Sequence, residues 1–232
     1  MKVLAFDTTS SFCAVTIWQN HQILAEEKKF IDRGHAEVLV PMMESVLVKA
    51  GSDYKDLNLL AVTVGPGAFT GIRIGLATAR SLALVCKIPL IGITNFEALV
   101  HGISKRERQG CKVLVVLETK RSDFYVCLYD ENLSALMKPK TVEGPELVSL
   151  VQRSPVLLAG DAIDRALTFL RLLDPRIVKS SSGICVNPAT IAELAFGIIK
   201  TGVVIEKPVP FYLKPPDVSL TSKSGLIGKY KK

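Results

Sequence analysis

The sequence predicts an α/β fold with two duplicated lobes, each a mixed sheet flanked by helices. The first observation is the order of elements in the first half: three strands, then a helix, a strand, a helix, a strand and a helix. The second is that the other half follows a similar order. The third is a pair of matching landmarks. An acidic residue ends the first strand of each half (Asp7 and Glu118), and a glycine turn ends the fourth (Gly65 and Gly160).

The elements of the first half follow from changes in hydrophobic period. Apolar runs predict strands at residues 2–6, 13–18, 22–28, 59–64 and 89–92. The polar turn "QNH" makes the second and third of these strands a hairpin. Helices are predicted at residues 36–50, about 70–86 and about 95–102, where apolar residues recur on one helical face.

The second half is assigned in the same way. Strands are predicted at residues 113–118, 124–129 and 156–160, with a weaker apolar run at 134–138 as a further strand. Helices are predicted from about 145 to 152, from the end of the strand at 156–160 to about 172, and over 187–200. The hydrophilic segment 104–110 separates the halves. We therefore expect an N-terminal lobe at 1–103, a C-terminal lobe at 104–213 and a basic tail at 214–232.

Composition limits the class of protein. With 48% hydrophobic and 22% charged residues, the 232-residue chain can bury a core, which excludes general disorder. The net charge is +7, but five lysines and one aspartate lie in the tail, so the body is close to neutral. Five dispersed cysteines favour free thiols in a reducing compartment. The N-terminal apolar run is too short for a signal peptide, and charges interrupt the apolar stretch 72–93, so we expect a cytoplasmic protein without a membrane span.

Two loops could bind an anion. In "DTTS" (7–10), the backbone N–H groups of Thr8 and Thr9 could face a phosphate while Asp7 holds a metal or water; the alternative is a tight turn that caps itself. In "GPGAFTGIRIG" (65–75), Gly65, Pro66 and Gly67 could expose N–H groups at a helix N-terminus. The alternative is a connection that brings two backbones close.

The helix after this loop carries two patterns. Gly71, Gly75, Ala79 and Ala83 recur every four residues as a small-residue stripe, and Arg73, Arg80 and Lys87 recur every seven as a basic strip. The stripe either packs inside the domain or forms a protein interface together with Met42, Met43 and Val46 of the preceding helix. The three histidines show no metal-binding spacing, and there is no G-x-S-x-G elbow, so metal catalysis and a hydrolase triad are not expected.

Four segments, in order, resemble the TsaB (YeaZ) family: "MKVLAFDTTSSFCAVTI", "HAEVLVPMMESVL", "AVTVGPGAFTGIRIGLATARSLAL" and "PLIGITNFEAL". The resemblance is strong over roughly the first 100 residues and weaker beyond. It implies an actin-like ATPase (ASKHA) fold and a non-catalytic subunit, without a cofactor, of the bacterial complex that places threonylcarbamoyl on an adenosine beside the tRNA anticodon. In that family the paralogue TsaD carries out the transfer, TsaC makes the threonylcarbamoyl-adenylate, and TsaE joins the complex.

The resemblance also implies partners and site residues. The helices at 36–50 and 70–86 would bind TsaD, and the same surface would form a homodimer in its absence. The interface residues would be Met42, Met43, Val46, Gly71, Arg73, Gly75, Ala79, Arg80 and Ala83. Asp7, Thr8, Thr9, Gly65 and Gly67 would be vestigial phosphate loops. The chain would act on tRNA only indirectly, through the complex that binds it.

One comparison supports a non-catalytic role. TsaD carries N-H-L-E-[GA]-H, whose histidines bind a metal, whereas this chain has "TNFEAL" (94–99), with Asn95 and Leu99 at the histidine positions. The segments 118–123 and 160–162 also depart from the family, so we expect no tight ATP binding by the isolated chain. Two alternatives stay open: an actin-fold ATPase or phosphotransferase that uses Asp7 and the 65–67 loop, and a metalloprotease. The tail either contacts tRNA phosphates or is a solvated end.

Overall fold

The computed structural model describes residues 1–151, 155–170 and 176–214, so the predicted tail beyond Lys214 lies outside the described residues. The first lobe consists of β1 (Lys2–Asp7), β2 (Phe12–Gln19), β3 (Gln22–Phe30), α1 (His35–Lys49), β4 (Leu59–Thr63), α2 (Phe69–Cys86), β5 (Leu90–Ile93) and α3 (Asn95–His101). The short helix α4 (Lys105–Arg108) follows in the predicted hydrophilic segment. The second lobe consists of β6 (Lys112–Glu118), β7 (Phe124–Tyr129), β8 (Lys140–Val142), α5 (Gly144–Leu150), β9 (Val156–Ala159), α6 (Ile163–Leu170), β10 (Ile177–Lys179) and α7 (Pro188–Lys200).

The two sheets have the same topology, which confirms the predicted duplication. The first sheet has the strand order β3-β2-β1-β4-β5, and the second has β8-β7-β6-β9-β10. In each sheet, the first three strands in sequence pair antiparallel and the remaining pairs are parallel. The hairpin between β2 and β3 turns at Asn20 and His21, which both have positive φ, as a two-residue type I′ turn requires.

The sheets and helices form alternating layers. The helices α1 and α2 cover one face of the first sheet, where Phe6, Leu39 and Leu60 are fully buried. On the other face lie α3 and α7, and this layer continues into the second sheet through Val113 and Val115. The helices α5 and α6 cover the outer face of the second sheet. The central layer therefore lies between the lobes and sets their relative orientation.

The helices of the central layer cross between lobes. The helix α7 follows the second lobe in sequence but packs against β1, β2, β4 and β5, and α3 contacts β6 of the second sheet. Both helices begin at well-formed caps: Thr94 and Glu97 form a capping box at α3, and the Asn187 side chain accepts a hydrogen bond from Ala189 N at α7. The predicted domain division at residues 103 and 104 stays a prediction.

The second lobe differs from its prediction in two places. The expected strand at 134–138 is reduced to a single antiparallel bridge between Ala135 and Tyr129, and the paired strand β8 begins only at Lys140, after Pro139, which has no N–H to donate. At 130–134 the chain turns, because Oδ1 of Asp130 accepts hydrogen bonds from the N–H groups of Asn132 and Ser134. The strand β10 was not predicted. The helix predicted to end near 172 corresponds to α6, which is described to Leu170. Its predicted end lies outside the described residues.

The linker helix α4 is joined to the second lobe by one carboxylate. Glu107 accepts hydrogen bonds from Ser180 Oγ at 2.9 Å, Ser181 N at 2.7 Å and Ser182 Oγ at 2.6 Å. Burial acts to raise the pKa of Glu107, but these hydrogen bonds outweigh it and the pKa is lowered. A lowered pKa in the folded state means that this carboxylate stabilises the fold above its unfolded-state pKa, and the stabilisation is lost as pH falls.

Glu107→Gln should therefore lower the free energy of unfolding near pH 7 by about 1 kcal/mol, a small value because the side chain is partly exposed. As pH falls from the unfolded-state pKa of about 4.3 toward 3, the contribution of this carboxylate is progressively lost, so at pH 3 the difference should be smaller. Urea unfolding of both proteins at the two pH values measures this. A difference that stays constant with pH would mean that the charge on Glu107 does not hold the serine loop.

Candidate functional site

The "DTTS" turn lies at the carboxyl end of β1 and is closed on itself. Oδ1 of Asp7 accepts hydrogen bonds from Thr9 N at 3.0 Å, Thr9 Oγ1 at 2.6 Å and Thr63 Oγ1 at 2.5 Å. Asp7 is 1% exposed. Burial raises the pKa of Asp7, although the hydrogen bonds from Thr63 and Thr9 act in the opposite direction. These contacts fit the self-capping interpretation of the turn.

The glycine loop between β4 and α2 packs directly on this turn. Gly65 has a φ of 107°, in the region that favours glycine. A Cβ at Gly67 would collide with the carbonyl oxygen of Thr9, and one at Gly71 with that of Thr8. Ala68 N donates to Thr9 O at 2.7 Å. The glycines are therefore required for the close approach of two backbones, which was the alternative to anion binding.

The first turn of α3 ties both loops together. Nδ2 of Asn95 donates to Thr9 Oγ1 at 2.5 Å and to Pro66 O at 2.9 Å. Asn95 N donates to Gly65 O at 2.8 Å, while its Oδ1 is buried without a hydrogen-bond partner. Leu99, one turn later, is 2% exposed. The two positions that hold histidines in TsaD thus hold a structural amide and an aliphatic side chain.

In the second lobe, Glu118 ends β6 as Asp7 ends β1, and it forms an ion pair with Arg165. Arg165 donates to Glu118 through Nε at 3.0 Å and Nη2 at 2.7 Å, and its guanidinium lies 3.7 Å from the Phe124 ring centroid. The sequence predicted Glu118 as a landmark but missed Arg165. The two residues are 47 positions apart, and no local pattern connects them. Glu118 is consequently engaged within its own lobe.

The two lobes enclose a cleft of about 920 Å³. Thr9, Gly67 and Asn95 line it from the first lobe, and Glu118 and Asp161 from the second. The pKa of Asp161 is raised to about 6 by desolvation within the cleft and by the carboxylates of Glu118 and Asp7. Within residues 1–151, 155–170 and 176–214, no group of three or more His, Cys, Asp or Glu side chains is placed to hold a metal ion.

The structure brings the predicted loop residues together. Asp7, Thr8, Thr9, Gly65 and Gly67 all meet at the carboxyl ends of β1 and β4. Thr8 Oγ1 donates to Gly71 O at 2.8 Å, so the turn also contacts α2. Asp7 and Thr8 are buried beneath the lining of the cleft, with 1% and 0% exposure.

The structure corrects the placement of several predicted interface residues. Met42, Met43 and Val46 point into the core beneath α1, with at most 1% exposure. Gly71, Gly75 and Ala79 form a buried stripe that faces the protein's own first sheet and "DTTS" turn. Ala83 is partly buried. In this conformation, a partner that binds α1 and α2 would contact the exposed side chains of the two helices and not these buried residues.

Exposed aliphatic side chains lie on the outer surface of the same two helices. Val48 of α1 is 79% exposed, and Leu84 and Val85 of α2 are 80% and 78% exposed. Val40 of α1 is also exposed. The small-residue stripe drew the predicted interface to the other side of α2, and nothing in the apolar pattern alone shows which apolar side chains of a helix are exposed.

The basic strip of α2 holds the C-terminal segment. Nη2 of Arg80 donates to Pro208 O at 2.5 Å, and Nε of Arg73 donates to Tyr212 Oη at 3.3 Å. Phe211 N donates to Val64 O at 2.8 Å. Lys214 at the end of this segment forms an ion pair with Asp123 of the second lobe. Arg73 and Arg80 therefore make contacts within the chain while their side chains stay exposed, and their place in a partner interface stays a prediction.

Comparison with known proteins agrees with this architecture. Residues 23–156 match the family model of tRNA N6-adenosine threonylcarbamoyltransferase, TsaD. The tRNA threonylcarbamoyladenosine biosynthesis protein TsaB of Escherichia coli is 32% identical over 61% of this chain and 64% of its own length. TsaB of Bacillus subtilis is 26% identical over 92% of this chain and 94% of its own length. The chain belongs to the TsaB (YeaZ) family. The E. coli match thus spans slightly less than two thirds of that relative.

Solved structures support the fold. YeaZ from Pseudomonas aeruginosa has a TM-score of 0.75 at 22% identity, covering 91% of this chain and 99% of that one. The activator of 2-hydroxyisocaproyl-CoA dehydratase from Clostridium difficile, solved with bound ADPNP, has a TM-score of 0.57 at 14% identity, covering 87% and 97%. The actin-like fold expected from the family resemblance is confirmed.

By length and composition, α2 alone among the described helices could cross a membrane, with a mean hydropathy of 1.3. One such helix is weak support for a membrane protein, because helices in the core of globular proteins pass the same test. Its Gly71, Gly75 and Ala79 side packs on the first sheet, and Arg73 and Arg80 interrupt its outer side. The exposed aliphatic residues of α2 belong to a helix docked on a sheet.

Proposed function

We propose that the chain is a non-catalytic scaffold subunit in the biosynthesis of threonylcarbamoyladenosine in tRNA, and that it binds and activates TsaD. The observation that carries this proposal is the exposed aliphatic surface of α1 and α2, with Val48, Leu84 and Val85 about four-fifths exposed. A contiguous exposed apolar patch marks a site of protein association, and we propose that these side chains of the two neighbouring helices form one. Family membership supplies the partner, since relatives are named for this pathway.

The contacts inside the cleft favour the absence of catalysis by this chain alone. Asp7 accepts three hydrogen bonds from its own lobe, and Glu118 is paired with Arg165, so both strand-end carboxylates have internal partners. A phosphotransferase would need such a carboxylate free for a metal or a substrate. We propose that Asp7, Thr8, Thr9, Gly65 and Gly67 are vestigial phosphate loops that now have a packing role.

The proposal includes further members of the assembly. TsaE would join the TsaD heterodimer in a larger complex, tRNA would be met through that complex, and the exposed helices would pair as a homodimer when TsaD is absent. The site of action would be the cytoplasm. The N-terminal lobe, residues 1–103, would be the partner-binding unit, because α1 and α2 belong to it.

Reconstitution tests the function directly. Threonylcarbamoylation of tRNA by TsaC, TsaD and TsaE is measured with and without this chain. We expect modification only when the chain is present, together with no Mg-ATP hydrolysis by the chain alone. Equal modification without it would contradict the scaffold role. ATP hydrolysis that disappears with Asp7→Ala would favour a phosphotransferase instead.

A further inference from the structure

We propose that Lys28 and Cys185 form an oxidation-dependent covalent link, a sulfenamide, between the two lobes. Lys28 lies on the edge strand β3 of the first lobe, and Cys185 lies in the loop between β10 and α7. The amine Nζ of Lys28 is 2.5 Å from Sγ of Cys185, although 157 residues separate them in sequence. A lysine side chain and a thiol are thus already in contact across the lobe boundary.

The lysine amine is held in place by an aromatic ring. Nζ of Lys28 lies 4.4 Å from the ring centroid of Phe12, a cation–π distance, and Phe12 packs edge-on against Phe30 at 5.3 Å. This contact restrains a side chain that is otherwise exposed. It reduces the entropy lost when the amine must stay beside the sulfur during a reaction.

The cysteine is held by a loop that is anchored on both sides. Before it, Ser180 and Ser182 bond to Glu107, and Gly183 O accepts a hydrogen bond from Gly160 N at 2.5 Å. After it, the Asn187 side chain caps α7. Cys185 is partly exposed and lines the cleft, so a small oxidant can reach its sulfur.

The other cysteines provide an internal comparison. Cys13 and Cys127 are buried, whereas Cys86 and Cys111 are partly exposed like Cys185. In the described part of the chain, a lysine amine makes a hydrogen bond with Cys185 and with neither Cys86 nor Cys111. Exposure alone therefore does not distinguish Cys185, whereas its amine neighbour does.

The chemistry needs one equivalent of a peroxide. The Cys185 thiolate attacks a peroxide oxygen, an S–O bond forms as the O–O bond breaks, and hydrogen peroxide is reduced to water while sulfur becomes a sulfenic acid. The Lys28 ammonium loses a proton to solvent, and the neutral amine then attacks that sulfur. An S–N bond forms, the S–O bond breaks and the hydroxyl leaves as a second water, taking a proton from nitrogen. Relative to the reduced protein, the chain loses two hydrogen atoms.

Such a link would fix the lobes relative to each other. It would join the edge of the first sheet to the loop that precedes α7, at the rim of the cleft. A thiol reductant would reverse it by attacking sulfur, releasing the amine and leaving a mixed disulfide that a second thiol resolves. The site would therefore respond to the redox state of its surroundings.

The test uses the full chain treated with hydrogen peroxide and then mapped by peptide mass spectrometry. We expect a peptide pair joined through Lys28 and Cys185, lighter by two hydrogens than the separate peptides, which disappears after dithiothreitol. A variant with Cys86→Ser and Cys111→Ser should still form it, which separates the link from a disulfide between exposed cysteines. Lys28→Arg keeps the positive charge beside the sulfur but lacks a nucleophilic amine, so the link should be lost completely.

Two results would overturn the proposal. One is oxidation of Cys185 to sulfinic acid with Lys28 unmodified. The other is a cross-linked peptide of the same mass change in the Lys28→Arg variant, which would assign the bond to another nitrogen. Neither result depends on TsaD binding, so the test is independent of the proposed function.

Discussion

Gly71→Ala is expected to cost about 3 kcal/mol or more in the free energy of unfolding. A Cβ at this position of α2 would collide with the carbonyl oxygen of Thr8 and lie 3.0 Å from the carbonyl carbon. Neither backbone can move away easily, because Thr8 Oγ1 donates to Gly71 O and Ala68 N donates to Thr9 O. The substitution forces apart a helix and a turn whose contact is fixed by hydrogen bonds, which is overpacking against backbone.

The matched control is the same substitution in α7. Gly197 is exposed in the helix, and a Cβ there meets no heavy atom within 4 Å. Because alanine favours a helix over glycine by about 0.5–1 kcal/mol, Gly197→Ala should stabilise the protein by that amount. Gly75→Ala should fall between the two, since its Cβ would press on the Thr8 hydroxyl and a Val62 methyl, which are side-chain atoms and not backbone.

Urea unfolding of the three variants gives the comparison. The expected order of midpoints is Gly197→Ala highest, then wild type, Gly75→Ala and Gly71→Ala. If the free energy of unfolding of Gly71→Ala lies within about 0.5 kcal/mol of the wild-type value, α2 does not approach the "DTTS" turn as closely as described. Gly75→Ala keeps the test informative if Gly71→Ala fails to fold.

Much of the fold could be predicted because local and global signals agree. The two sets of three strands, the helices α1, α2 and α7, and the matching glycine turns at Gly65 and Gly160 follow from hydrophobic period and turn chemistry. The short strands β8 and β10 were harder. Each has three residues and pairs with the strand that precedes it in sequence, β8 with β7 and β10 with β9, and three residues are too few to show a hydrophobic pattern of their own.

The candidate site was predictable only in part. The meeting of "DTTS" with the glycine loop follows from parallel strands β1 and β4, whose carboxyl ends share one edge of the sheet. The choice between anion binding and close packing depended on whether the glycine loop faces a ligand or the backbone of the "DTTS" turn. Hydrophobic periodicity does not contain that information. The same limit applies to α1 and α2. Each helix has a buried and an exposed apolar side, and the regular stripe proved to be the buried one.

Leu84→Glu should weaken binding to TsaD by roughly 100-fold while leaving this protein folded. The side chain is 80% exposed on α2, so a carboxylate at this position remains hydrated in the free protein and the fold loses little. In a complex that buries the outer surface of α1 and α2, the carboxylate would be desolvated against apolar groups. A loss of about 3 kcal/mol, as for a central interface residue, corresponds to that change in Kd.

Val48→Glu on α1 should act in the same direction, because Val48 is 79% exposed on the neighbouring helix. The matched control is Val204→Glu, which adds the same carboxylate at a valine that is 92% exposed and belongs to neither helix, in the segment after α7. Binding is measured by isothermal titration calorimetry with TsaD, and folding by thermal unfolding of each variant alone. Ala79→Glu is unsuitable, because Ala79 is fully buried and the variant would report on the core.

The same variants separate the homodimer from the heterodimer. If one surface serves both, Leu84→Glu should lower the apparent mass in sedimentation of the isolated chain and also weaken TsaD binding, whereas Val204→Glu should change neither. Wild-type affinity for TsaD in both Leu84→Glu and Val48→Glu would show that the exposed aliphatic residues of α1 and α2 are not the TsaD surface. The partner would then have to meet another face of the first lobe.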